Sequence, residues 1–419
     1  MSLDTLSSKP TPQGFLLDWR GVLSRERLRV PLFGMVGLAS GWNAFSGHWE
    51  FMGSSLEPAQ FIAVSAVLLM FAWRMVTSRK QAFALMVGWY AGATLVVPAM
   101  WVQFFQSRAQ GWLAMLLLSV VLAAPYVLSP RGRPRLGVIP GIVLSAVPPL
   151  GLVGLASPLL LAGAWLPGSG WWGMAVVLAV FALCAYEAKW AKLITVLVLF
   201  GGGLAASIPP KEPPARAWAA TTYLGYYPSN LVKSFARQDQ LKAEVLTALH
   251  QGAKLVVLPE GADPGWDNGQ AFYWQSVAQA AKRHHAQVLL GVYSTLPNPL
   301  RAVDGLVDLG TGTIWHATIT QPISMWRPWA KDYDFGPRAP QGLIPTPFGP
   351  AAYSICYEDI LMWPLAWQEL QGHPKLLISA ANQWFANATL ARPQTRSIQM
   401  QARLWGLPLL RAVNWKTLQ

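Results

Sequence analysis

Cysteine, acidic residues and charge in general are what this sequence has little of. Only 2 of its 419 residues are cysteine. No CxxC pair or Cys/His cluster suggests a metal centre. Cys184 lies inside an apolar run, so a bridge to Cys356 would put one partner at membrane depth. Charged residues make up 12%, about half the usual share. The 32 Lys and Arg against 19 Asp and Glu leave a net charge of +13. No basic stripe interleaved with aromatics is present, which argues against a nucleic-acid partner. His284-His285 is an isolated pair at a helix end, better read as solvated than ligating. No cofactor is expected.

Apolar residues are abundant instead, at 53%, with 22 tryptophans, a residue favoured at membrane interfaces. Residues 1–30 are polar and basic (Arg20, Arg25, Arg27, Arg29) and read as a cytoplasmic tail. Seven apolar stretches follow, at about 31–47, 58–73, 81–105, 111–129, 136–161, 171–186 and 193–209. Loops rich in Lys and Arg (74–80, 130–135, 187–192) alternate with loops nearly free of them (48–57, 106–110, 162–170). By the positive-inside rule the rich loops and the N-terminus are cytoplasmic. Seven spans then carry everything after about residue 210 across the membrane, into the periplasm of a bacterium. No acidic residue lies well inside a span, so the region reads as an anchor rather than an ion-coupled transporter.

Residues 210–216 form a Pro-rich linker, and the texture then changes. Strands are expected at 218–227, 254–258, 287–293, 351–356, 375–380 and 408–413, with a hairpin at 302–309 and 313–320. Helices are expected from a cap at Ser229 or Asn230 to near Gly252, over 268–285, and over 396–405. The expected domains are therefore a tail (1–30), a membrane domain of about seven helices (31–209), the linker, and an α/β layered domain (217–419).

Glu260, Cys356 and Asn382 each fall at or just past the C-terminal end of a buried strand, where α/β sheets bind ligands. A thiol is a weak nucleophile until it becomes a thiolate, and free Cys has a pKa of about 8.5. A glutamate within reach can take its proton. A cation or backbone donors must then hold the oxyanion. Glu260 is the base candidate. For the cation, Lys331 is the sole lysine between Lys282 and Lys375; Arg327 and Arg338 lie near it and His316 lies on the hairpin.

Leu258-Pro259-Glu260, Ile355-Cys356-Tyr357-Glu358, Leu377–Phe385, Gln399–Arg403 and Pro408–Ala412 together resemble, in order, the nitrilase (carbon–nitrogen hydrolase) superfamily. They look most like its membrane branch, apolipoprotein N-acyltransferase, including shortened, TraB-like relatives found among conjugal-transfer proteins. The resemblance implies a multi-span helical domain followed by a periplasmic, nitrilase-like αββα sandwich in the bacterial inner membrane. It implies Cys356 as the nucleophile that becomes an acyl-thioester, Glu260 as general base, Glu358 as a supporting acid, and Trp384 and Phe385 as the aromatic pair beside the site. It also implies a phospholipid acyl donor and an amine on a lipoprotein or conjugation-apparatus protein as acceptor. The aromatic loops 325–329 and 361–367 would then lie near the lipid surface.

This sequence departs from the pattern at three points. The family's catalytic lysine aligns near Ala317, its glutamate of the same stretch aligns with Met325, and the chain stops soon after Asn414. Lys331 substitutes only if its loop folds back. Two expectations stay open: an acyltransferase-like enzyme, or a catalytically impaired relative serving as a structural component of a conjugal-transfer apparatus.

Overall fold

The structure is a computed structural model that describes residues 26–48, 50–51, 54–55, 57–130, 132–184, 201–228, 230–295, 302–329 and 335–417. Its N-terminal half is helical: α1 (Glu26–Phe45), α2 (Pro58–Arg74), α3 (Arg79–Ala93), α4 (Val97–Phe105), α5 (Arg108–Ala123), α6 (Val138–Ala146), α7 (Leu161–Trp165) and α8 (Gly170–Cys184). A short ribbon pairs 50–51 with 54–55.

Glycines set how closely these helices approach. Gly34, Gly37 and Gly41 of α1 face Gly88 and Gly92 of α3, and a Cβ built on Gly88 would sit 2.0 Å from the Gly34 carbonyl. Small residues at this spacing let two backbones touch, the packing typical of helices in lipid.

The seven apolar stretches do not become seven uniform helices. Among the described residues, Arg108–Val127 alone is long and apolar enough to cross a membrane. Three spans result if each bent pair counts as one: α3 with α4, bent by 55°, and Pro158–Trp165 with α8, bent by 116°. Prolines make the difference. Pro98 opens α4 just after the bend, and Pro148-Pro149 follow the end of α6, so α6 is only nine residues long and no further α-helix begins before Leu161. Helix α1 begins at Glu26, five residues ahead of the first apolar stretch. Residues 1–25 and 185–200 lie outside the described residues, and with them the start of the seventh stretch.

The C-terminal half contains β1 (Ala217–Ala219), β2 (Thr221–Thr222), α9 (Leu231–His250), β3 (Leu255–Val257), β4 (Asp263–Trp266), α10 (Asn268–Tyr273), α11 (Gln275–Arg283), β5 (Gln287–Thr295), β6 (Ala302–Asp308) and β7 (Ile314–His316). It continues with β8 (Ile344–Thr346), β9 (Gly349–Ile355), α12 (Trp363–Gln371), β10 (Leu376–Gln383), α13 (Ala388–Trp405) and β11 (Leu409–Trp415). Two sheets form. One runs β1-β3-β5-β6-β7 with β4 also on β5; the other runs β8-β9-β10-β11-β2.

Alternation along each strand makes the layers. Ala351, Tyr353 and Ile355 of β9 and Leu376, Ile378 and Ala380 of β10 share a core with Leu255, Val257, Leu289 and Leu306 of the other sheet. The residues between them face outward: Ala352 and Leu377 meet Leu365 of α12 and Ile398 of α13. On the far side Val256 and Val288 meet Leu241 and Val245 of α9 and Val277 of α11. The result is an αββα sandwich, as expected.

Element boundaries follow local chemistry. Asn230 caps α9 and Asn387 caps α13, each accepting a backbone N–H three residues on. The helix expected over 268–285 is two, meeting at the buried Trp274, whose indole donates to Asp263 at 2.9 Å. α13 starts eight residues earlier than expected, with Pro393 inside it.

α13 also joins the two halves. Its Arg396 is buried and donates to the carbonyls of Asn43, Ala44 and Gly47, which end α1. Arg403 donates to Gly163 at 3.1 Å and to Ala205 at 3.0 Å. These guanidiniums satisfy carbonyls that a helix end leaves without partners.

Candidate active site

Cys356 follows β9 directly and opens a tight 3-10 turn, Cys356–Ile360. Its φ is +45°, a left-handed backbone that a residue with a Cβ seldom adopts. The turn is held from two sides. Gln394 of α13 donates to the Cys356 carbonyl at 2.8 Å and to Asp359 at 3.1 Å. Asp359 is fully buried and also takes hydrogen bonds from Ser354 (2.6 Å) and Ser379 (3.0 Å), with Arg411 at 3.5 Å. Such an over-determined, strained position is how a side chain is aimed out of a strand end.

Glu260 lies just past β3 and is 2% exposed. One carboxylate oxygen accepts from Tyr293 of β5 at 3.0 Å; the other accepts from the Asn382 N–H, at the end of β10, at 2.9 Å. The Cys356 thiol and the carboxyl of Asp304 on β6 lie beside it and act on its ionisation. Asn414 of β11 steadies Asn382 through a 2.8 Å contact. Glu260, Cys356 and Asn382 thus meet at the sheet ends, as their places in the sequence predicted.

Glu358 accepts three backbone N–H groups: Ile355 at 3.0 Å, Thr318 at 2.7 Å and Ile319 at 3.3 Å. It ties the Cys356 turn to the segment after β7. That segment carries Ala317, the position where the resemblance expects lysine. Burial raises the Glu358 carboxyl to about 7 against these three donors.

Burial is also the main cause that raises the Glu260 carboxyl, and its neighbours Cys356, Tyr293, Asp304 and Asn382 oppose it. The Cys356 thiol is pushed well up by burial first, then by the charge and hydrogen bond of Glu260 and the charge of Asp359. The thiol is therefore held as S–H beside a base, not as a standing thiolate.

A cavity of about 660 Å³ opens over these groups, and Tyr226, Trp384 and Phe385 contribute its aromatic wall. Phe104 of α4 closes that wall, 5.3 Å from the Trp384 ring and 4.9 Å from that of Phe385. No Lys or Arg is among the described residues lining it. Lys331 lies outside the described residues. A second, mostly apolar cavity of about 270 Å³ runs among α3, α4 and α5 and shares Phe104, Gln321, Cys356, Tyr357 and Phe385 with the first. Among the described residues no group of His, Cys, Asp and Glu could hold a metal ion.

Sequence reasoning missed Tyr293 and Asp304. Asp304 did carry a signal, an acid inside the fully buried strand Ala302–Asp308. Tyr293 carried none, since a tyrosine ending an apolar strand reads as core.

No family model matches the chain. Over 423 residues it is 26% identical to the conjugal transfer protein TraB of Agrobacterium fabrum, covering 94% of this chain and 96% of that one. A probable TraB of Sinorhizobium fredii is 25% identical over 413 residues, covering 94% and 100%. An apolipoprotein N-acyltransferase of Synechocystis is 34% identical over 164 residues, which is 34% of this chain and 30% of that one. Among solved structures, the Caenorhabditis elegans NitFhit protein matches 47% of this chain and 50% of its own at 18% identity and TM-score 0.33. A nitrilase-superfamily amidase from Nesterenkonia sp. AN1 matches 47% and 74% at 14% identity and TM-score 0.35. With its Cys–Glu site at the sheet ends of an αββα sandwich, the chain is similar along its length to TraB conjugal transfer proteins and, over 164 residues, to an apolipoprotein N-acyltransferase.

Proposed function

We propose that this protein is a membrane-anchored acyltransferase that moves an acyl group from a phospholipid to an amine of a partner protein. One observation carries the reading: Cys356 lines both the cavity holding Glu260 and the more apolar cavity among α3, α4 and α5. An ester carbonyl fits the first and a hydrocarbon chain the second. The boundaries 31–209, 210–216 and 217–419 serve as membrane domain, linker and periplasmic domain in this reading.

In the first half-reaction Cys356 Sγ bonds to the ester carbonyl carbon while its proton passes to Glu260. The ester C–O bond breaks, and Glu260 returns the proton to the departing lysophospholipid oxygen. An amine then attacks the thioester. The new C–N bond forms, the C–S bond breaks, and the amine's proton reaches the thiolate by way of Glu260. Glu358 holds the Cys356 turn throughout, and Trp384 and Phe385 shape the wall beside it. Lys331 remains a proposed oxyanion partner.

A second reading has its own support. Ala317 stands where the resemblance places the lysine, and losing one oxyanion donor costs about two to three orders of magnitude in rate. Both full-length relatives are conjugal transfer proteins. On that reading the chain is a structural component of a conjugation apparatus.

Mass spectrometry of the purified protein with phospholipid vesicles separates the two. The enzyme reading expects an acyl adduct on Cys356, absent in Cys356→Ala and reduced at least tenfold in Glu260→Gln. No adduct, together with full cellular function of Cys356→Ala, would leave only the structural reading.

A further inference from the structure

The site holds an acid that the proposed mechanism does not use. Asp304 is 4% exposed, on β6, directly across from Tyr293 of β5 in the sheet register. Its carboxyl acts directly on that of Glu260, which Tyr293 also contacts at 3.0 Å, and its buried Oδ1 has no hydrogen-bond partner. Both carboxyl groups line the same cavity as Cys356. Two carboxylates cannot share a hydrogen bond unless a proton lies between them.

The groups around the pair come from every neighbouring element. β5 supplies the Tyr293 hydroxyl, and the turn after β9 supplies Cys356 and Glu358. His316 on β7 turns its Nδ1 to the Ala317 carbonyl instead. Arg338 reaches the Ala302 carbonyl at the start of β6. Glu260 and Glu358, both acidic, act on Asp304 and add to burial in favouring its neutral form.

We propose that Asp304 is a positioning residue that keeps its proton and donates it to Glu260, so that the pair carries one negative charge in a cavity without a described cation. The arrangement does two things. It lowers the cost of burying the Glu260 carboxylate, which is the form that can accept the thiol proton. It also restrains the total negative charge beside Cys356, which would otherwise oppose thiolate formation further. This deepens the acyl-transfer reading and rests on it for its purpose, but its test needs no acyl donor.

The test is alkylation of Cys356 by iodoacetamide across pH, read peptide by peptide so that Cys184 is separate. In Asp304→Ala, Glu260 loses a hydrogen bond to its charged form, and the acid limb of the profile moves up by about one pH unit. A downward move would mean that Asp304 bears a charge, and no move would mean that it does not act on Glu260; either overturns the proposal. The isosteric Asp304→Asn supplies a second readout. Its infrared difference spectrum against the parent protein at pH 7 should lose the carbonyl stretch of a buried, protonated carboxyl. A spectrum without that loss overturns the assignment, whether or not an acyl adduct ever forms on Cys356.

Discussion

Glu358 is the residue whose role can be tested most directly without substrate. It receives three backbone donors and stands at about 7, above its ordinary 4.5. The folded protein therefore binds the extra proton between those values. This contribution to stability is full below about pH 4.5 and is lost as pH rises through about 7, a term on the order of 3 kcal/mol. Glu358→Gln titrates no longer, and its amide nitrogen faces a backbone N–H. At pH 5 the variant should be less stable by about 1–3 kcal/mol, because one backbone donor loses its acceptor. The gap should narrow towards pH 8. Thermal unfolding in detergent over that range checks both; a gap that stays constant with pH would show that Glu358 does not titrate there.

At the scale of elements, α1 and α3 depend on having nothing between them. Gly88→Val puts a branched side chain where a Cβ already meets the Gly34 carbonyl at 2.0 Å. Forcing the helices apart should cost about 1–3 kcal/mol, seen as a lower unfolding temperature and faster proteolysis between α1 and α3. Helix α13 is the opposite case, an element that holds two halves together by polar contacts. Arg396→Ala removes the donors to three carbonyls at the end of α1 and the cation stacked 4.3 Å over the Phe61 ring. The loss should be about 3–5 kcal/mol, within the range for breaking a buried charged group's contacts. Limited proteolysis should then separate the helical half from the sandwich; an unchanged digestion pattern would show that α13 is not the joint.

The whole molecule makes the site a junction. Cys356 belongs to the sandwich, but Phe104 comes from the helical half, and the apolar cavity beside the thiol is lined from both halves. Filling that cavity tests whether it receives the hydrocarbon chain. Ala114→Trp on α5 should reduce the Cys356 adduct from long-chain phospholipid at least tenfold, on the order of the loss when a hydrophobic pocket rejects an extra group. The adduct from a short-chain lipid should fall less. Equal loss with both chain lengths would mean that the chain binds elsewhere.

Much of this was legible in the chain itself. Alternating apolar strands, each ending in a polar residue, placed Glu260, Cys356 and Asn382 at one edge, because strand period and strand order are local properties. The aromatic pair Trp384 and Phe385 and the missing lysine at Ala317 could be read by position. Composition marked the apolar half but overstated its regularity, since hydropathy counts residues and does not register the bends near Pro98 and after Ala146. What no local pattern could supply was convergence across elements. Tyr293, Asp304 and Gln394 reach the site from three different elements, and Arg396 of α13 finds its partners about 350 residues earlier in the chain. Distances of that kind are decided by packing two sheets face to face and seating α13 against α1. For that reason the sequence alone placed Cys356 and Glu260 at one sheet edge, and the tertiary structure alone decided that a second buried acid, Asp304, lines the cavity beside them.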